Sequence, residues 1–396
     1  MKQNITLSYS INRSFVKSDI YIFEALGYNV HRILSRPDKS TIYFICNRTK
    51  ELLKSLLYIP SSKIVVSWFN DYHALIPIII SKIFFKKSVI IVGGYDAIVD
   101  DENKHGVFYK HNIRSKIVRL NYNLASEIWV VHKSLIKGCD KAASKFNIIS
   151  GVENFIQNKP LKIKEINTGY DSRFWNYDET INKSGILTVA FFSDKRVINI
   201  KGLNYFNKLA SLLPNKEFLI VGESGINISD YINLEPNVKV IGVQNKFQIK
   251  SLYQKSKFYF QGSRLEGLPN SLCEAMLCGC VPIGSQVFGI PDAIGSTGIL
   301  FDLETDLEQV ADFINSNIGT KKGGVVDYAT SLKNLRLCEI AKENKLPTIN
   351  LVESGGANLP DQDTVFNNYG KIFKEMSSRS KNGIQTISVV FGNATA

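Results

Sequence analysis

Two glutamates lie in the segment of this chain that carries the most chemical information. Glu266 precedes a turn at Gly267, and Glu274 follows inside a predicted helix, Pro269–Leu277. At a rise of 1.5 Å per residue, Glu274 lies roughly 7–8 Å along the helix axis from Pro269. One carboxylate before the turn and one inside the helix could hydrogen-bond to two different groups of one elongated ligand.

The residues between the two glutamates suit a phosphate group. The turn and the predicted helix N-terminus consist of Gly267, Leu268, Pro269, Asn270 and Ser271. Proline is favourable as a first helical residue, and the N–H groups of a first turn attract anions. A nucleotide sugar has the matching layout, because its diphosphate lies between a sugar and a ribose. One carboxylate could then bind the sugar hydroxyls and the other the ribose hydroxyls.

Three alternative interpretations of the glutamates remain open. Glu266 could be the partner of Ser263 in a helix capping box. Glu274 could be an exposed helix residue. The pair could also be the two carboxylates of a glycosidase, although the phosphate-binding features argue against that reaction.

The elements that must position these residues follow an alternation of strand and helix. The first half has apolar strand-like runs at Ile5–Tyr9, Ile42–Cys46, Ile64–Trp68, Val89–Val92 and Ile128–Val131, with predicted helices at Phe15–Leu26, Lys50–Leu57, Tyr72–Phe85 and Ser115–Leu124. The second half has strands at Ile186–Phe192, Phe218–Val221, Val238–Ile241, Phe258–Phe260 and Val281–Ile283, with further helices at Leu203–Leu213 and Lys246–Lys255. This alternation predicts an α/β fold with two parallel doubly wound lobes, residues 1–165 and 166–318. Ligands of such sheets bind at the carboxyl ends of the strands.

Composition sets broad limits on function. The chain has 396 residues, 44% of them hydrophobic, and a net charge of +12. These values exclude a disordered protein, a collagen-like fibre and a polytopic membrane protein. A basic surplus suits a phosphorylated ligand, an anionic membrane or nucleic acid. The polar start of the chain does not resemble a signal peptide, so we expect a cytoplasmic protein.

One apolar run, Leu75–Phe85, has two interpretations. It contains Lys82 and is followed by Lys86 and Lys87, and it is too short for a membrane span. It could be a helix packed on a sheet. It could also touch an anionic membrane with its apolar face, which would place the protein at the inner face of the plasma membrane.

The segment around the glutamates resembles the retaining glycosyltransferases of family 4, which have the GT-B fold. The resemblance lies in Glu266-Gly267-Leu268-Pro269, Glu274-Ala275-Met276, Gly279-Cys280-Val281-Pro282-Ile283 and Gly289-Ile290-Pro291-Asp292. Weaker matches are Asn167–Phe174 and Ala125–Ser134. The resemblance implies a UDP- or GDP-linked sugar donor, with neither a metal nor another cofactor. It also implies transfer with retention to a glycan or lipid-linked acceptor in cell-envelope synthesis, with no nucleic acid partner.

A second element of the same resemblance is Arg196 followed by Lys201. In the family such a pair holds the donor diphosphate, which suits the charge of both side chains. Lys195 stands where the family usually has glycine, and a solvated basic pair is the alternative. On the acceptor side, Asp96 follows a predicted strand within Gly93-Gly94-Tyr95-Asp96. It could orient the acceptor hydroxyl or cap the turn.

The tail, residues 319–396, resembles a different family. Leu335–Ala341, Leu351–Pro360, Tyr369–Phe373 and Val389–Ala396 are similar to the carboxyltransferase subunit of biotin-dependent acyl-CoA carboxylases, which has a crotonase-like fold. The tail predicts helices at Leu332–Asn344 and Phe366–Ser378 and strands at Thr348–Val352 and Thr386–Phe391. Only about 70 residues match, so we expect no carboxylase activity and a truncated fragment. A carboxyltransferase and a silent chimera that binds nucleotide without turnover are the alternatives to the glycosyltransferase.

Overall fold

The structure is a computed structural model that describes residues 2–36, 40–156, 162–303, 305–316, 328–354 and 362–394. The chain forms two compact units. The first comprises Met1–Trp175, Ser263–Glu274 and Val287–Ile290, and the second comprises Asn176–Gly262, Ala275–Gln286 and Pro291–Ala396. The first unit therefore includes two short segments from much later in the chain, and one of them carries both glutamates.

The first unit is built on a parallel sheet. The strands of this unit, not all of which belong to that sheet, are β1 (Asn4–Tyr9), β2 (Asn29–Leu34), β3 (Ser62–Trp68), β4 (Lys87–Val92), β5 (Ile98–Val99), β6 (Glu127–Val130), β7 (Ile149–Ser150) and β8 (Ile163–Glu165). Its helices are α1 (Ser14–Ala25), α2 (Thr41–Tyr58), α3 (Tyr72–Ile83), α4 (Ile113–Leu124) and α5 (Asp140–Phe146). Among the described residues, six strands pair in the order β2-β1-β3-β4-β6-β8. Strand β1 is an interior strand next to the edge strand β2, and its Leu7 is fully buried.

The sequence predictions for this unit include one wrong strand and omit strand β2. Residues Ile42–Cys46 belong to helix α2 and form no strand, and the strand that follows α1 is β2, which the sequence reading missed. Helix α2 begins after Ser40, whose side-chain oxygen accepts a hydrogen bond from the Tyr43 N–H. The run Ile42–Cys46 is apolar yet mostly exposed on this helix, so its apolar character did not indicate a buried strand. Strand β2 is half-polar because it lies at the sheet edge.

The second unit contains a second parallel sheet. Its strands are β9 (Ser184–Phe192), β10 (Phe218–Glu223), β11 (Val238–Gly242), β12 (Ser256–Gln261), β13 (Val281–Ser285) and β14 (Ile299–Phe301). The helices in this part of the chain are α6 (Lys195–Ile200), α7 (Leu203–Leu212), α8 (Lys246–Lys255), α9 (Asn270–Leu277), α10 (Ile290–Ile294) and α11 (Leu307–Ser316). In the described part of the chain the strand order is β11-β10-β9-β12-β13-β14. Both predicted parallel sheets are confirmed.

Helix α9 begins one residue later than the sequence predicts. Its first residue is Asn270, so Pro269 directly precedes the helix, and its carbonyl accepts the first intrahelical bond, from the Cys273 N–H at 3.2 Å. The prediction that Pro269 is the first helical residue is therefore wrong by one position. Pro269 is the N-cap residue instead, because its carbonyl supplies this first acceptor.

The tail continues with α12 (Tyr328–Glu343), β15 (Thr348–Ser354), α13 (Gln362–Lys381) and β16 (Thr386–Ala394). Strands β15 and β16 pair in parallel, and α12 packs on α13 through Leu335, Cys338 and Ile372. All four predicted tail elements are confirmed. The join at Asn317–Gly324 and the turn residues Gly355–Ala357 lie outside the described residues, and the boundaries at 165/166 and 318/319 stay predictions. In the part of the chain that the structure describes, no helix is long and apolar enough to cross a membrane.

Candidate functional site

Glu266 lies in an irregular loop after β12. Ser263 is fully buried, and its hydroxyl donates a hydrogen bond to Glu266 Oε1 at 3.0 Å. The two side chains therefore interact, as a capping box would require. Residues 263–266 are not helical, however, so the capping-box interpretation is wrong. The serine holds the Glu266 carboxylate at the end of a strand, where it stays half-buried.

The buried Arg264 anchors this loop. Its guanidinium donates to Glu102 Oε2 at 2.6 Å and lies 3.6 Å from Asp100 Oδ2. Its charged carbon lies 4.6 Å from the centre of the Phe146 ring. The residue is 6% exposed, so both carboxylates and the ring fix the loop that precedes Glu266. The sequence reading did not single out Arg264, because its partners lie more than 100 residues away.

Three glycines let the surrounding loops touch through their backbones. A Cβ atom at Gly267 would lie 2.6 Å from the Gly93 carbonyl oxygen and 2.8 Å from Val131 Cγ2. A Cβ atom at Gly289 would lie 2.4 Å from the Gly267 oxygen, to which the Gly289 N–H donates at 3.1 Å. The loops after β4, β12 and β13 therefore meet where only glycine fits. Their meeting point is at the carboxyl end of the first sheet, as expected for a ligand site.

His132 is a candidate residue that the sequence reading missed. It lies two residues after the end of β6, is 3% exposed, and its ring lies 3.1 Å from a Cβ atom placed on Gly289. The Ser134 N–H donates to Nδ1 at 3.2 Å, and the Ser134 hydroxyl lies 2.8 Å from the same nitrogen. Because Nδ1 accepts, a neutral ring carries its proton on Nε2. Its position at the end of a strand was the signal that could have identified it.

Asp96 is buried and holds two loops together. Its carboxylate accepts the Asn70 N–H at 2.9 Å and the Gly94 N–H at 3.1 Å, and only 1% of the residue is exposed. Burial raises the pKa of the Asp96 carboxyl to about 6. These are the turn-capping bonds that the sequence offered as an alternative. A role toward the acceptor stays a prediction, and the geometry supports Asp96 as a positioning residue for the Gly93–Gly94 loop.

Glu274 is half-buried on α9, so it is not the exposed helix residue that the alternative required. Burial raises the pKa of the neighbouring Cys273 thiol to about 11, and the charge of Glu274 adds to this effect. Burial also raises the pKa of Tyr170 well above its usual range, again with a contribution from Glu274. The Tyr170 hydroxyl donates to Asn270 Oδ1 at 2.8 Å, which fixes the start of α9. Tyr170 is thus a second residue whose positioning role the sequence reading missed.

The remaining predicted phosphate-binding residues show a mixed exposure. Gly267 and Pro269 are buried, whereas Leu268, Asn270 and Ser271 are half-buried. The described residues contain no group of three or more histidine, cysteine or acidic side chains that could hold a metal ion. The first unit therefore brings Glu266, Gly267–Ser271 and Glu274 into one structure with Asp96.

Arg196 and Lys201 belong to the second unit, at the two ends of α6. Asp194 caps this helix, and its Oδ2 accepts from Arg196 Nε at 2.9 Å and from Nη2 at 2.5 Å. Lys201 closes the helix, with its N–H bonded to the Val197 carbonyl at 2.8 Å. A Cβ atom at the next residue, Gly202, would lie 1.9 Å from the Gly262 oxygen, so α6 is held against the end of β12.

Comparison with known families supports two separate assignments. Residues 182–321 match the profile of the family Glycosyl transferases group 1, and residues 310–396 match the Carboxyl transferase domain. The chain therefore carries a glycosyltransferase group 1 domain and a carboxyltransferase fragment. The group 1 match includes both glutamates, Arg196 and Lys201.

Solved structures extend the likeness of fold to most of the chain. A sucrose-phosphate synthase from Thermosynechococcus elongatus aligns with a TM-score of 0.53 and 13% identity, over 79% of this chain and 89% of that one. The catalytic domain of starch synthase IV from Arabidopsis thaliana aligns with a TM-score of 0.55 and 10% identity, over 80% and 93%. At such low identity the likeness concerns the fold alone. The predicted GT-B architecture is confirmed.

The tail matches curated carboxylase subunits. A probable biotin-dependent acyl-coenzyme A carboxylase beta2 subunit from Mycobacterium tuberculosis (strain ATCC 25618 / H37Rv) is 49% identical over 83 residues, which are 21% of this chain and 16% of that protein. The chain spans only about a sixth of the length of this relative. The resemblance of the tail to a carboxyltransferase is confirmed, together with its fragmentary extent.

Proposed function

We propose that this protein is a glycosyltransferase that moves a sugar from a nucleotide-sugar donor to an acceptor hydroxyl with retention. The proposal rests on one observation: Glu266 and Glu274 flank the buried glycine turn and the start of α9, inside the residues that match glycosyl transferases of group 1. A carboxylate, a helix N-terminus and a second carboxylate in this order suit a sugar, a diphosphate and a ribose.

Each part of the donor has a proposed partner. Glu266 accepts hydrogen bonds from the sugar hydroxyls, and Glu274 accepts them from the two ribose hydroxyls. The segment Gly267–Ser271 faces the diphosphate, where the partial positive charge of a helix N-terminus stabilises an anion. In the glycosyltransferases that this chain resembles, the residues that match Arg196 and Lys201 hold the donor diphosphate. These roles need neither a metal nor a further cofactor.

The proposed reaction is a substitution at the anomeric carbon. The bond from that carbon to the diphosphate oxygen breaks with its electron pair on the oxygen, and the acceptor oxygen forms the new bond on the same face. The acceptor proton passes to the departing phosphate oxygen. Arg196 and Lys201 stabilise the negative charge that develops on the leaving group. Asp96 supports the loop that faces the acceptor.

The donor and the acceptor follow from the resemblance and from charge. We propose a UDP- or GDP-linked sugar, and the structure of starch synthase IV contains ADP, so an adenine-linked donor is included in the test. The net charge of +12 suits an anionic, lipid-linked acceptor of cell-envelope polysaccharide or glycolipid synthesis. We place the protein in the cytoplasm, in peripheral contact with an anionic membrane.

Thermal shifts with UDP, GDP, ADP and propionyl-CoA test this proposal. A ligand at 100 times its Kd stabilises the folded state by about 2.7 kcal/mol, which raises Tm by several degrees. Glu274→Gln should remove most of the shift with the preferred nucleotide, because it weakens the ribose contact. Glu217→Gln is the matched control, since that glutamate is 78% exposed and lies before β10. A shift with propionyl-CoA alone would overturn the proposal.

Turnover separates the proposal from its alternative. The carboxyltransferase match over residues 310–396 favours a silent chimera as the second candidate. Under the first proposal, the purified chain hydrolyses or transfers the sugar of the matching donor, and Glu266→Gln abolishes this activity. Under the second, the nucleotide raises Tm but the wild-type chain releases no nucleoside diphosphate from any donor.

A further inference from the structure

Helix α2 has its polar side buried and its apolar side exposed. The side chains that face the protein include Asn47, Arg48, Glu51 and Ser55. On the opposite side, Ile42 is 74% exposed, Ile45 59%, Leu53 62% and Leu57 70%. A helix on the surface of a water-soluble domain has the reverse arrangement. We call the outward residues Ile42, Ile45, Cys46, Leu52, Leu53, Leu56 and Leu57 the α2 apolar face.

The apolar face is continuous. With 3.6 residues per turn, its seven residues occupy an arc of about 140° on the helix, and Thr49 is the single other residue in that arc. Lys50 and Lys54 lie next to it on one flank, and both are exposed. An arc of that width matches an interfacial helix, which buries one face in an apolar phase and keeps lysines at its edge.

The polar side is fixed inward, so the helix does not rotate to cover its apolar face. Arg48 Nη2 donates to Glu51 Oε1 at 2.7 Å and to the Ser35 hydroxyl at 2.6 Å. Glu51 is only 2% exposed. The Arg48 guanidinium also lies 5.0 Å from the centre of the Phe44 ring. Rotation would separate this buried ion pair and expose the ring.

A second apolar group lies at the end of the neighbouring helix α3. Phe85 is 97% exposed and has a φ of 54°, a left-handed conformation that favours glycine. It closes α3, with its N–H bonded to the Lys82 carbonyl and the Lys86 N–H bonded to the Ser81 carbonyl. Neither the backbone nor contact with water favours phenylalanine here. An apolar phase outside the protein would.

The two groups lie on neighbouring helices of one layer. Helices α2 and α3 pack on each other, and Ile59, directly after α2, shares a core cluster with Ile80 of α3. The carboxyl ends of both helices are therefore adjacent. Leu57 near the end of α2 and Phe85 after the end of α3 thus lie at the same end of this helix layer.

The charge of this surface is positive. Residues 40–95 contain five exposed or half-buried lysines near the two helices, Lys50, Lys54, Lys82, Lys86 and Lys87. The acidic residues in the same range are Glu51 and Asp71, which form ion pairs with Arg48 and Arg114. Lysines around an apolar patch complement the phosphates of an anionic lipid surface.

We propose that the α2 apolar face and Phe85 insert into the headgroup region of an anionic lipid bilayer, with the surrounding lysines on lipid phosphates. The inference specifies the surface for the membrane contact proposed above. Its test does not depend on sugar transfer, because vesicle binding and nucleotide-induced shifts are measured separately.

Co-sedimentation of the full chain with vesicles tests the proposal. The chain should bind vesicles of phosphatidylcholine with about 30% phosphatidylglycerol, because lysines near the surface attract anionic lipids. It should bind pure phosphatidylcholine at least tenfold more weakly. Leu53→Glu should weaken binding to the anionic vesicles roughly tenfold or more. Leu26→Glu is the matched control: Leu26 is 68% exposed after α1, and right-handed crossovers place α1 and α2 on opposite faces of the sheet.

Phe85→Gly separates a membrane role from a structural one. Glycine suits the left-handed backbone, so the variant should have an unchanged or higher Tm. Its binding to the anionic vesicles should nevertheless fall several-fold. Wild-type binding that is absent, or that persists in both Leu53→Glu and Phe85→Gly, would overturn the proposal. A wild-type dimer in the absence of vesicles that Leu53→Glu converts to a monomer would also overturn it, because a second copy would then cover the face.

Discussion

Replacement of Gly267 by alanine tests whether the glycine contacts set the geometry around Glu266. The backbone at Gly267 is not left-handed, so alanine is allowed there by its own dihedral angles. Its Cβ atom would lie 2.6 Å from the Gly93 oxygen and 2.8 Å from Val131 Cγ2. Ordinary contact begins about 0.6–0.8 Å farther out. The backbone of one loop must therefore move.

The cost of this movement is predictable. Overpacking a fixed interior site costs about 1–3 kcal/mol, and the entropy that alanine removes from the unfolded chain returns about 0.4–1 kcal/mol. We expect Gly267→Ala to lower the free energy of unfolding by about 1–2 kcal/mol. For a unit of this size Tm should fall by roughly 2–8 °C. Gly169→Ala is the control, because the nearest atom to its added Cβ is Ile22 Cδ1 at 3.8 Å.

Activity provides the second readout of Gly267→Ala. A shift of nearly 1 Å at the residue after Glu266 should lower kcat/KM of sugar transfer about 100-fold. Nucleotide affinity should fall as well, because Gly267 belongs to the segment that we propose to face the diphosphate, but by less than kcat/KM, because Glu274 lies beyond the displaced turn. Scanning calorimetry and initial-rate kinetics measure the two effects. If Gly267→Ala matched Gly169→Ala in both Tm and kcat/KM, the contact with Gly93 would not set the site geometry.

Three further predictions concern charge and backbone. Asp194→Asn keeps the cap of α6 but weakens the ion pair with the half-exposed Arg196. UDP, measured by calorimetry, should therefore bind about two- to threefold more tightly. Weaker binding would mean that Asp194 orients Arg196. Because the pKa of Asp96 rises from 3.8 to about 6 on folding, its contribution to stability is present below the unfolded pKa and lost as pH rises through 6. Urea titrations at pH 4.5 and 7.5 should show the difference between wild type and Asp96→Asn moving by about 2 kcal/mol in favour of the variant at the higher pH; a constant difference would contradict the raised pKa. Gly370→Ala should stabilise α13 by up to about 1 kcal/mol, measured as slower amide exchange, because its added Cβ meets no atom within 4 Å; faster exchange would contradict this.

Sequence patterns predicted the elements that obey simple burial rules. The run from β12 through α9 to β13 was predicted closely, since each strand there is short, apolar and bounded by glycine or proline. Helix α2 was predicted only in its second half. Its apolar residues face outward and its Arg48–Glu51 pair faces inward, so a rule that places apolar residues in the core assigns it wrongly.

The site was predictable in its local part only. Glu266, Gly267 and Glu274 belong to one continuous motif, so their order could be interpreted from the sequence. The contacts of Gly267 with Gly93, and of Gly289 with His132, join loops that are far apart in the chain. Which loops meet depends on strand order in the sheet. A single sequence does not contain that order, so the strand end could mark His132 as a candidate, but its contact with the Gly289 loop came only from the structure.

The first unit includes two segments from late in the chain, and this has a consequence for synthesis on the ribosome. Its early residues Asp100 and Glu102 pair with Arg264, and its Gly93 loop packs against Gly267. At about 5–20 residues per second, those partners follow the first 175 residues by several seconds or more. The amino-terminal sheet therefore emerges before the later segments that pack on the loops at its carboxyl end. Synthesis must continue through residue 290 before all segments of the first unit are present. A nascent chain arrested earlier should therefore be more sensitive to proteases, and a better substrate for chaperones, than the finished protein.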